Sequence, residues 1–554
     1  MSLRDHCEYR LKSMKTVRQD YEEEWRNIAR FAQPARSRFL SGNASATDVN
    51  KGGRRRIANN KLFDPHGIEA FRTLTNGMTS GLTSASRPWF TLRLSDDAMN
   101  DQPGVRSWLS DVEAAMYAFL GRTNFYGAAK AGYNEMGLFG TEATIMVEHA
   151  EHGAVCHSLT AGEYWISQSD ALVPDSLIAY TPMSARQAKQ VYGDKAPKIA
   201  KQMADAKDAE ASIDVYQLIE PNPAHRPGDL MSKPWRSIHW CPSDDADMTL
   251  RESGYQEQPF WAPRWDVVGG DTYGISPGME ALPALRELQM QAKRRNEAVD
   301  FMVHPEKIVK AGIRLTGEPR RIVSAATIDG ANSVLIPYQM PYQAIAAIGG
   351  EIDKCRTQID GLSFADLFNA ITNMRGVQPR NVEEIASRNE EKLTQLGPVI
   401  ERVSNEKLEV VIDRTFGIML RGGLLAPMPE ALQGQRIDVE FVSILAQMQR
   451  AVGVGQIERA LGMVGNLVGV QPDVLDKIDF DEAVDEYSTR LGVPAKMVRG
   501  KADVDKIRAD RAAQQNAQQA MASMPAVKDG AQAAQLLSET DVGGRSMLEQ
   551  LTGI

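Results

Sequence analysis

At 554 residues, with 43% hydrophobic and 24% charged side chains, the chain has the composition of a globular protein of more than one domain. Its net charge of −9 excludes a broadly basic, nucleic-acid-coating surface, so any contact with a polyanion has to come from local basic loops. Cys7, Cys156, Cys241 and Cys355 are widely spread with no CxxC spacing, which excludes a disulfide framework and reads as reduced, buried thiols.

No apolar run approaches the ~18 residues of a membrane span. The start, Met1 to Cys7, has no signal-peptide core. Both point to use in the cytoplasm or in a particle assembled there. The first helix is marked by an apolar stripe at Leu11, Met14, Val17, Tyr21, Trp25, Ile28 and Phe31, and Pro34 ends it. Residues 36–56 form an exposed loop with a basic run, Lys51 to Arg56. Asp64 and Pro65 start a second helix as N-cap and first helical residue, and Gly77 and Gly81 on it suit close packing. A strand follows at Arg87 to Leu94, then two helices striped by Val105, Trp108, Val112, Met116 and Phe119, and by Phe125, Tyr133 and Met136.

From Ala143 to Val268 the pattern becomes that of strands: Thr144 to His149, Val155 to Leu159, Glu163 to Gln168, Ile213 to Glu220 and Trp235 to Trp240. One or two short helices near Ser184 to Tyr192 interrupt them. A long helix runs from Ser276 to Val303, with Lys293, Arg294 and Arg295 as a solvated basic face. An insertion with β and turn character covers His304 to Gly349, and a helix returns from Glu351 to Asn369. Next is a polar loop, Asn373 to Asn381, carrying Arg375, Gly376, Gln378, Pro379 and Arg380.

The loop feeds the longest helix of the chain, Val382 to Leu420, with apolar residues at Val382, Ile385, Leu393, Leu396, Ile400, Val403 and Val411. At ~1.5 Å per residue it spans roughly 60 Å, more than one compact domain needs. Gly397 and Pro398 interrupt it, and proline removes one backbone hydrogen bond, so a kink is expected there. A strand, Arg436 to Phe441, follows Gly422 and Gly423, and the remainder is helical with an Ala/Gln-rich tail after Ala509.

Motifs of catalysis are sparse. There is no phosphate-cradling loop, dinucleotide fingerprint, zinc-peptidase motif or nucleophile elbow. Glu148, His149, His152, Cys156 and His157 have metal-like spacing, but a hairpin turning at His152 and Gly153 would scatter them between two faces. The acidic run Asp479 to Glu486 has Val484 and Arg490 where a calcium loop needs glycine and glutamate, so it reads as a solvated helix start. Glu383, Glu384, Glu390 and Glu391 form a polar helix face with Arg388 and Lys392. No cofactor or metal follows, and the chain reads as a non-enzyme.

Several runs taken in order resemble the head-to-tail connector, or portal, proteins of short-tailed bacteriophages. They are Gly81 to Leu92 (GLTSASRPWFTL), Thr123 to Phe125 with Phe139 to Thr141, Gly162 to Ile166 (GEYWI), Pro259 to Trp265 (PFWAPRW) with Tyr273 to Pro277 (YGISP), Arg388 to Leu393 with Leu396 to Pro398, and Ile437 to Phe441 followed by Ser443 to Ala446. The resemblance covers most of residues 1–450.

It implies an α+β, mainly helical fold assembled as a ring, usually of about twelve subunits. Residues 1–275 would be the wing, 276–303 and 350–372 the stem helices, 304–349 the clip and 373–381 the channel loop. Residues 382–450 would be the kinked helix and wing strand, and 451–554 the crown and tail. Arg375, Gln378 and Arg380 would touch double-stranded DNA in the lumen, Gly376 and Pro379 would hinge that loop, and Gly397 and Pro398 would kink the helix. The loop's GVQPR run departs from the Thr/Ala-rich pattern of the family. Implied partners are the terminase large subunit, a tail adaptor, and the capsid and scaffolding proteins. The implied location is a capsid vertex, with the host cytoplasm during assembly. The runner-up is another ring or adaptor protein of a virion with no DNA in its lumen.

Overall fold

The computed structural model describes residues 2–34, 62–94 and 103–304, the last with breaks at 206–207, 229–231 and 245–247. It also describes 308–309, 334–335, 341–373, 394–429, 437–443, 445, 462–464, 479–484, 504, 506–512 and 515. Its contacts divide the chain into two units, Met1–Val452 and Gly453–Ile554. The first is α+β.

Helix α1, Leu3–Ala32, opens on a reciprocal cap: the Ser2 hydroxyl accepts from the Asp5 amide and the Asp5 carboxylate accepts from the Ser2 amide. Its apolar stripe serves two cores. Cys7, Leu11 and Met14 lie under a sheet with Trp165, Leu218 and Trp240, whereas Trp25, Ile28, Ala29 and Ala32 enter the main core. Val17, expected inside, is 43% exposed, because the stripe drifts around the helix between its two contacts.

Helix α2, His66–Leu82, starts one residue later than expected, yet the Asp64 carboxylate still caps it by accepting from the His66 amide at 2.9 Å. The two glycines act as expected. A Cβ at Gly77 would lie 2.2 Å from the Phe368 ring, and one at Gly81 would lie 2.7 Å from Leu445. Strand β1, Phe90–Leu94, pairs antiparallel with a late strand, Ile437–Phe441. The amides of Trp89, just before β1, and Phe90 both donate to the Tyr117 hydroxyl at 2.8 Å. Helices α3, Pro103–Arg122, and α4, Phe125–Phe139, follow.

Strands β2 (Ala143–His149), β3 (Gly153–Leu159), β4 (Tyr164–Gln168) and β5 (Pro174–Ser184) come next, then helices α5 (Ala185–Tyr192) and α6 (Lys198–Asp205). Strands β6 (Ser212–Pro221), β7 (Trp235–Trp240), β8 (Arg251–Tyr255) and β9 (Phe260–Trp261) complete the region. They form a five-stranded antiparallel sheet, β4-β5-β6-β7-β8, and a three-stranded one, β3-β2-β9. Strand β5, paired with both β4 and β6, is not among the strands expected from the sequence. Pro174 and Pro182 argue against a strand, and its run of buried residues does not alternate. The reason is burial on both faces: Ile178 joins the core under α1, while Leu177 and Ala179 join the main core. Strands β8 and β9 were also missed, one polar and exposed, the other only two residues long.

Helix α7, Pro277–Val303, begins as expected: the Ser276 hydroxyl accepts from the Met279 amide and donates to the Leu138 carbonyl. Its partner α8 runs Tyr342–Leu362, nine residues before the expected start at Glu351. Gly349 and Gly350 lie inside it, at a cost of about 1 kcal/mol each in a helix interior. Tertiary packing overrides this, because Ile345, Ile352, Cys355 and Ile359 form a seam against α7. The helix then breaks at Ser363 and Phe364, where Phe364 has φ +56, and α9 resumes over Ala365–Asn373. Between α7 and α8, β10 (Ile308–Val309) pairs antiparallel with β11 (Val334–Leu335).

The base of the α7–α8 hairpin is tied to α2. Arg356 meets Asp64 at 2.8 Å, Asp360 meets His66 at 2.9 Å, and the Gln289 amide clasps the backbone of Phe63 and Asp64. In the second unit, the Asp479 carboxylate accepts from the Asp481 and Glu482 amides, so the acidic run there starts a helix.

The helices α5 and α6 cover one end of the larger sheet, where His239 meets the Tyr192 hydroxyl at 3.0 Å. Burial, aided by the nearby Arg251 cation, pushes this imidazole from 6.5 down to about 4. Unfolded chain therefore binds the extra proton between those values. The stability His239 confers is complete above pH ~6.5 and is lost as pH falls towards ~4. Hydrogen exchange of residues 235–240 should quicken from pH 6.5 to 4.5 after correction for intrinsic rates. In His239→Gln that added dependence should vanish; an equal slope in both proteins would refute the assignment.

Candidate functional site

The helix leading out of the polar loop is described from residue 394. Residues 394–403 are helical and continue through a π-turn, Ser404–Leu408, into α10, Glu409–Arg421. Gly397 and Pro398 lie within helical residues, with Pro398 exposed, and the described departure from α geometry is the π-turn farther on.

The apolar stripe explains the π-turn. Leu396, Val399, Ile400 and Val403 are buried, as are Val411, Ile412, Ile418 and Met419. Val411 and Ile412 follow Val403 by eight and nine positions. At ~100° per residue, an unbroken α-helix would place them about 80° and 180° out of phase. One extra residue in a wider turn returns both halves to the same face.

The wide turn also points two adjacent charged residues inward. Lys407 and Glu142 are each 0% exposed, with Nζ 2.6 Å from Oε2. The other oxygen of Glu142 accepts from Trp261 Nε1 at 2.9 Å and from the Thr144 hydroxyl at 3.2 Å. The ammonium also sits 3.8 Å from the centre of the Tyr133 ring. Burial pulls Lys407 below the ordinary lysine range, and the Glu142 carboxylate opposes that pull. Gly132 makes the room: a Cβ there would meet the Glu142 carboxyl at 2.0 Å.

Glu406 takes Arg264. Its carboxylate accepts from the Arg264 backbone amide at 3.0 Å and from guanidinium NH2 at 2.7 Å. About two and four turns later, Arg414 and Arg421 both bind Glu257 and also reach Glu148, at 3.2 and 2.8 Å. Burial raises Glu257, but hydrogen bonds from Arg421 and Arg414 outweigh it and hold the carboxyl below its usual range. Gly417 leaves space for that carboxylate, since a Cβ there would lie 2.2 Å from it. Beside it is a groove of about 410 Å³ lined by Glu257, Gln258, Val410, Asp413, Phe416, Gly417 and Leu420.

Arg375, Gly376, Gln378, Pro379 and Arg380 lie outside the described residues, as do Lys51 to Arg56 and the Glu383 to Lys392 face. The metal-like cluster is a hairpin. His149 and His152 stack at 5.0 Å in its turn, His149 Nδ1 accepts from the Glu151 and His152 amides, Cys156 is buried, and Glu148 goes to the arginines. Among the described residues no three His, Cys, Asp or Glu gather as metal ligands. Lys293, Arg294 and Arg295 are exposed, Lys293 lying 3.5 Å from Glu297. Glu142, Arg264, Glu406 and Lys407 were not singled out from the sequence. The one signal was the stretched step between Val403 and Val411.

This geometry is that of a fixed structural strut: a helix locked by paired charges to the small sheet and the loop leading into it, with no converging acid, base and nucleophile among the described residues. The chain belongs to the bacteriophage head-to-tail connecting protein family, whose profile matches residues 4–498. It is 34% identical over 545 residues to the portal protein of Salmonella phage epsilon15, covering 97% of this chain and 96% of that one. It is also 33% identical over 548 residues to the probable portal protein of Bordetella phage BPP-1, with the same coverage. Among solved structures, a chain of the virion of a native gene transfer agent particle shows a slight likeness, with a TM-score of 0.34 at 13% identity over 75% of this chain and 90% of that one.

Lys407→Met should destabilise the first unit by ~3–5 kcal/mol, because it strands a buried carboxylate. Adding Glu142→Gln should recover much of that loss. Urea unfolding of the three proteins measures it, and a double variant no more stable than Lys407→Met would refute the pairing.

Proposed function

We propose that this chain is a phage portal protein, forming a ring at one capsid vertex through which double-stranded DNA enters and later leaves. The observation that carries the reading is identity of about one third with portal proteins across 97% of the chain, with a connector family profile over residues 4–498. The family is one of structural proteins. Among the described residues no helix is long and apolar enough to cross a membrane.

In this reading residues 1–275 make the wing, α7 and α8 the stem, and the segment between them the clip. The clip docks the terminase large subunit during packaging and a tail adaptor afterwards, while capsid and scaffolding proteins meet the ring during assembly in the host cytoplasm. The packing of α7 against α8 supports the stem, and the short antiparallel β10–β11 pair suits the clip. Helix α8 itself begins at Tyr342, inside the range 304–349 that this reading gives to the clip. Residues 451–554 make the crown and tail.

The loop 373–381 connects α9 to the anchored helix, and in a ring it faces the lumen. Arg375 and Arg380, with Gln378, touch phosphates transiently; such contacts ignore sequence and weaken with salt. Gly376 gives the loop freedom, Pro379 fixes where the helix resumes, and Gly397 with Pro398 lets that helix bend. The net charge of −9 per chain keeps the rest of the channel from holding a polyanion.

Replacing Arg375 and Arg380 together by alanine should leave assembly intact and reduce DNA packaging or retention in particles. A photo-reactive group at position 375 should label packaged DNA. Label found solely on neighbouring subunits would favour the runner-up, a virion ring with no DNA in its lumen. No nucleotide hydrolysis should belong to the chain itself. ATPase activity that co-purifies with the ring and disappears on a point substitution here would contradict the structural role.

A further inference from the structure

Two loops end in exposed apolar side chains. Leu172 and Val173, at the tip between β4 and β5, are 51% and 44% exposed, and Val268, in the loop after β9, is 59% exposed. Leu172 has φ +59, a conformation that L side chains with bulk avoid. Both tips are braced on one buried cation. Arg264 donates to the Leu172 carbonyl at 2.6 Å and to the Asp271 carbonyl at 3.2 Å. Gln168 completes the brace, accepting from Arg264 at 3.1 Å and donating to the Gly270 carbonyl at 2.5 Å. Arg264 is itself held by Glu406.

Strain and bracing at an exposed apolar tip have a contact as their physical rationale: a surface ordered beforehand bears little further ordering cost on binding. The rim of the tip is acidic, with exposed Asp170, Asp266 and Asp271 on the same two loops. A complementary surface exists on α7. Arg286, Met290, Lys293 and Arg294 are spaced i, i+4, i+7 and i+8, so they share one face, and all are exposed. Met290 is 46% exposed and lies between the cations. Neither Arg286 nor Arg294 has a carboxylate partner among the described residues.

We propose that the Leu172–Val173–Val268 tip of one copy docks on the Arg286–Met290–Arg294 face of α7 in a second copy. Both surfaces are exposed in a single chain, so they do not satisfy each other within it. They differ from one another, so the contact is head-to-tail and each copy offers both halves, the kind of contact that closes a ring. The inference rests on the ring assembly proposed above and adds the surface that builds it.

The test is cysteine crosslinking in the full chain. The four native cysteines are buried, so a bismaleimide reports on introduced thiols. Val268→Cys with Met290→Cys should give a ladder of crosslinked oligomers on a denaturing gel, and each single variant should not. Rings seen by mass photometry without a ladder would overturn this contact and leave the ring standing. A ladder from either single variant would overturn it as well, by showing like surfaces meeting. Unsubstituted chain that stays monomeric across salt conditions would remove the ring and the contact together. Val268→Glu and Arg294→Glu should each raise the monomer fraction at least tenfold without altering the thermal melting of the protomer. Unchanged assembly in both would also count against the contact.

Discussion

The structure turns on two neighbouring charges, Glu406 and Lys407, held inward by one π-turn. Lys407 reaches Glu142 at the foot of β2, and Glu406 reaches Arg264 just beyond β9. These two strands pair with each other, so one helix turn grips the small sheet at both sides. Through Arg264 the grip extends to Gln168 and the loops around Leu172 and Asp271. Buried ion pairs of this kind add little net stability over an apolar packing of the same shape. Their effect here is registry: a helix slipped by one residue would bury two unpaired charges. The long helix therefore has one position against the sheets.

Space for these pairs comes from glycine. Gly132 faces the Glu142 carboxylate and Gly417 faces Glu257, each at a distance where no Cβ fits. Both glycines lie inside helices, where the residue is otherwise unfavourable. A second group of ties, Asp64 to Arg356 and His66 to Asp360, sets the α7–α8 hairpin on α2. The chain thus carries one set of charge pairs on α8, before α9, and another on the helix described from residue 394.

Much of this was legible in the sequence. Strong periodicity identified α1, which Pro34 ends, and α7, and the strands β2, β3, β4, β6 and β7 were read from alternation. What failed had physical causes. Strand β5 is buried on both faces and carries prolines, so it shows neither alternation nor clean boundaries. Helix α8 contains two adjacent glycines, Gly349 and Gly350, whose cost is met by packing that no local pattern reveals. The anchoring pairs join residues 265 and 142 positions apart, and only the eight-residue step from Val403 to Val411 betrayed the π-turn. The resemblance carried the functional reading, and the family profile and relatives at about one third identity agree with it.

A strut of this kind has a use when it must hold a loop at fixed radius around an axis. The channel ring proposed above would make that demand, and it would join the anchored helix, the arginines of 373–381 and the acidic chain into one account. The most direct measurement is class-averaged electron microscopy of the purified full-length protein. The account predicts closed rings with a central hole wide enough for a DNA duplex. Particles of single-protomer size, or solid oligomers with no central hole, would contradict it.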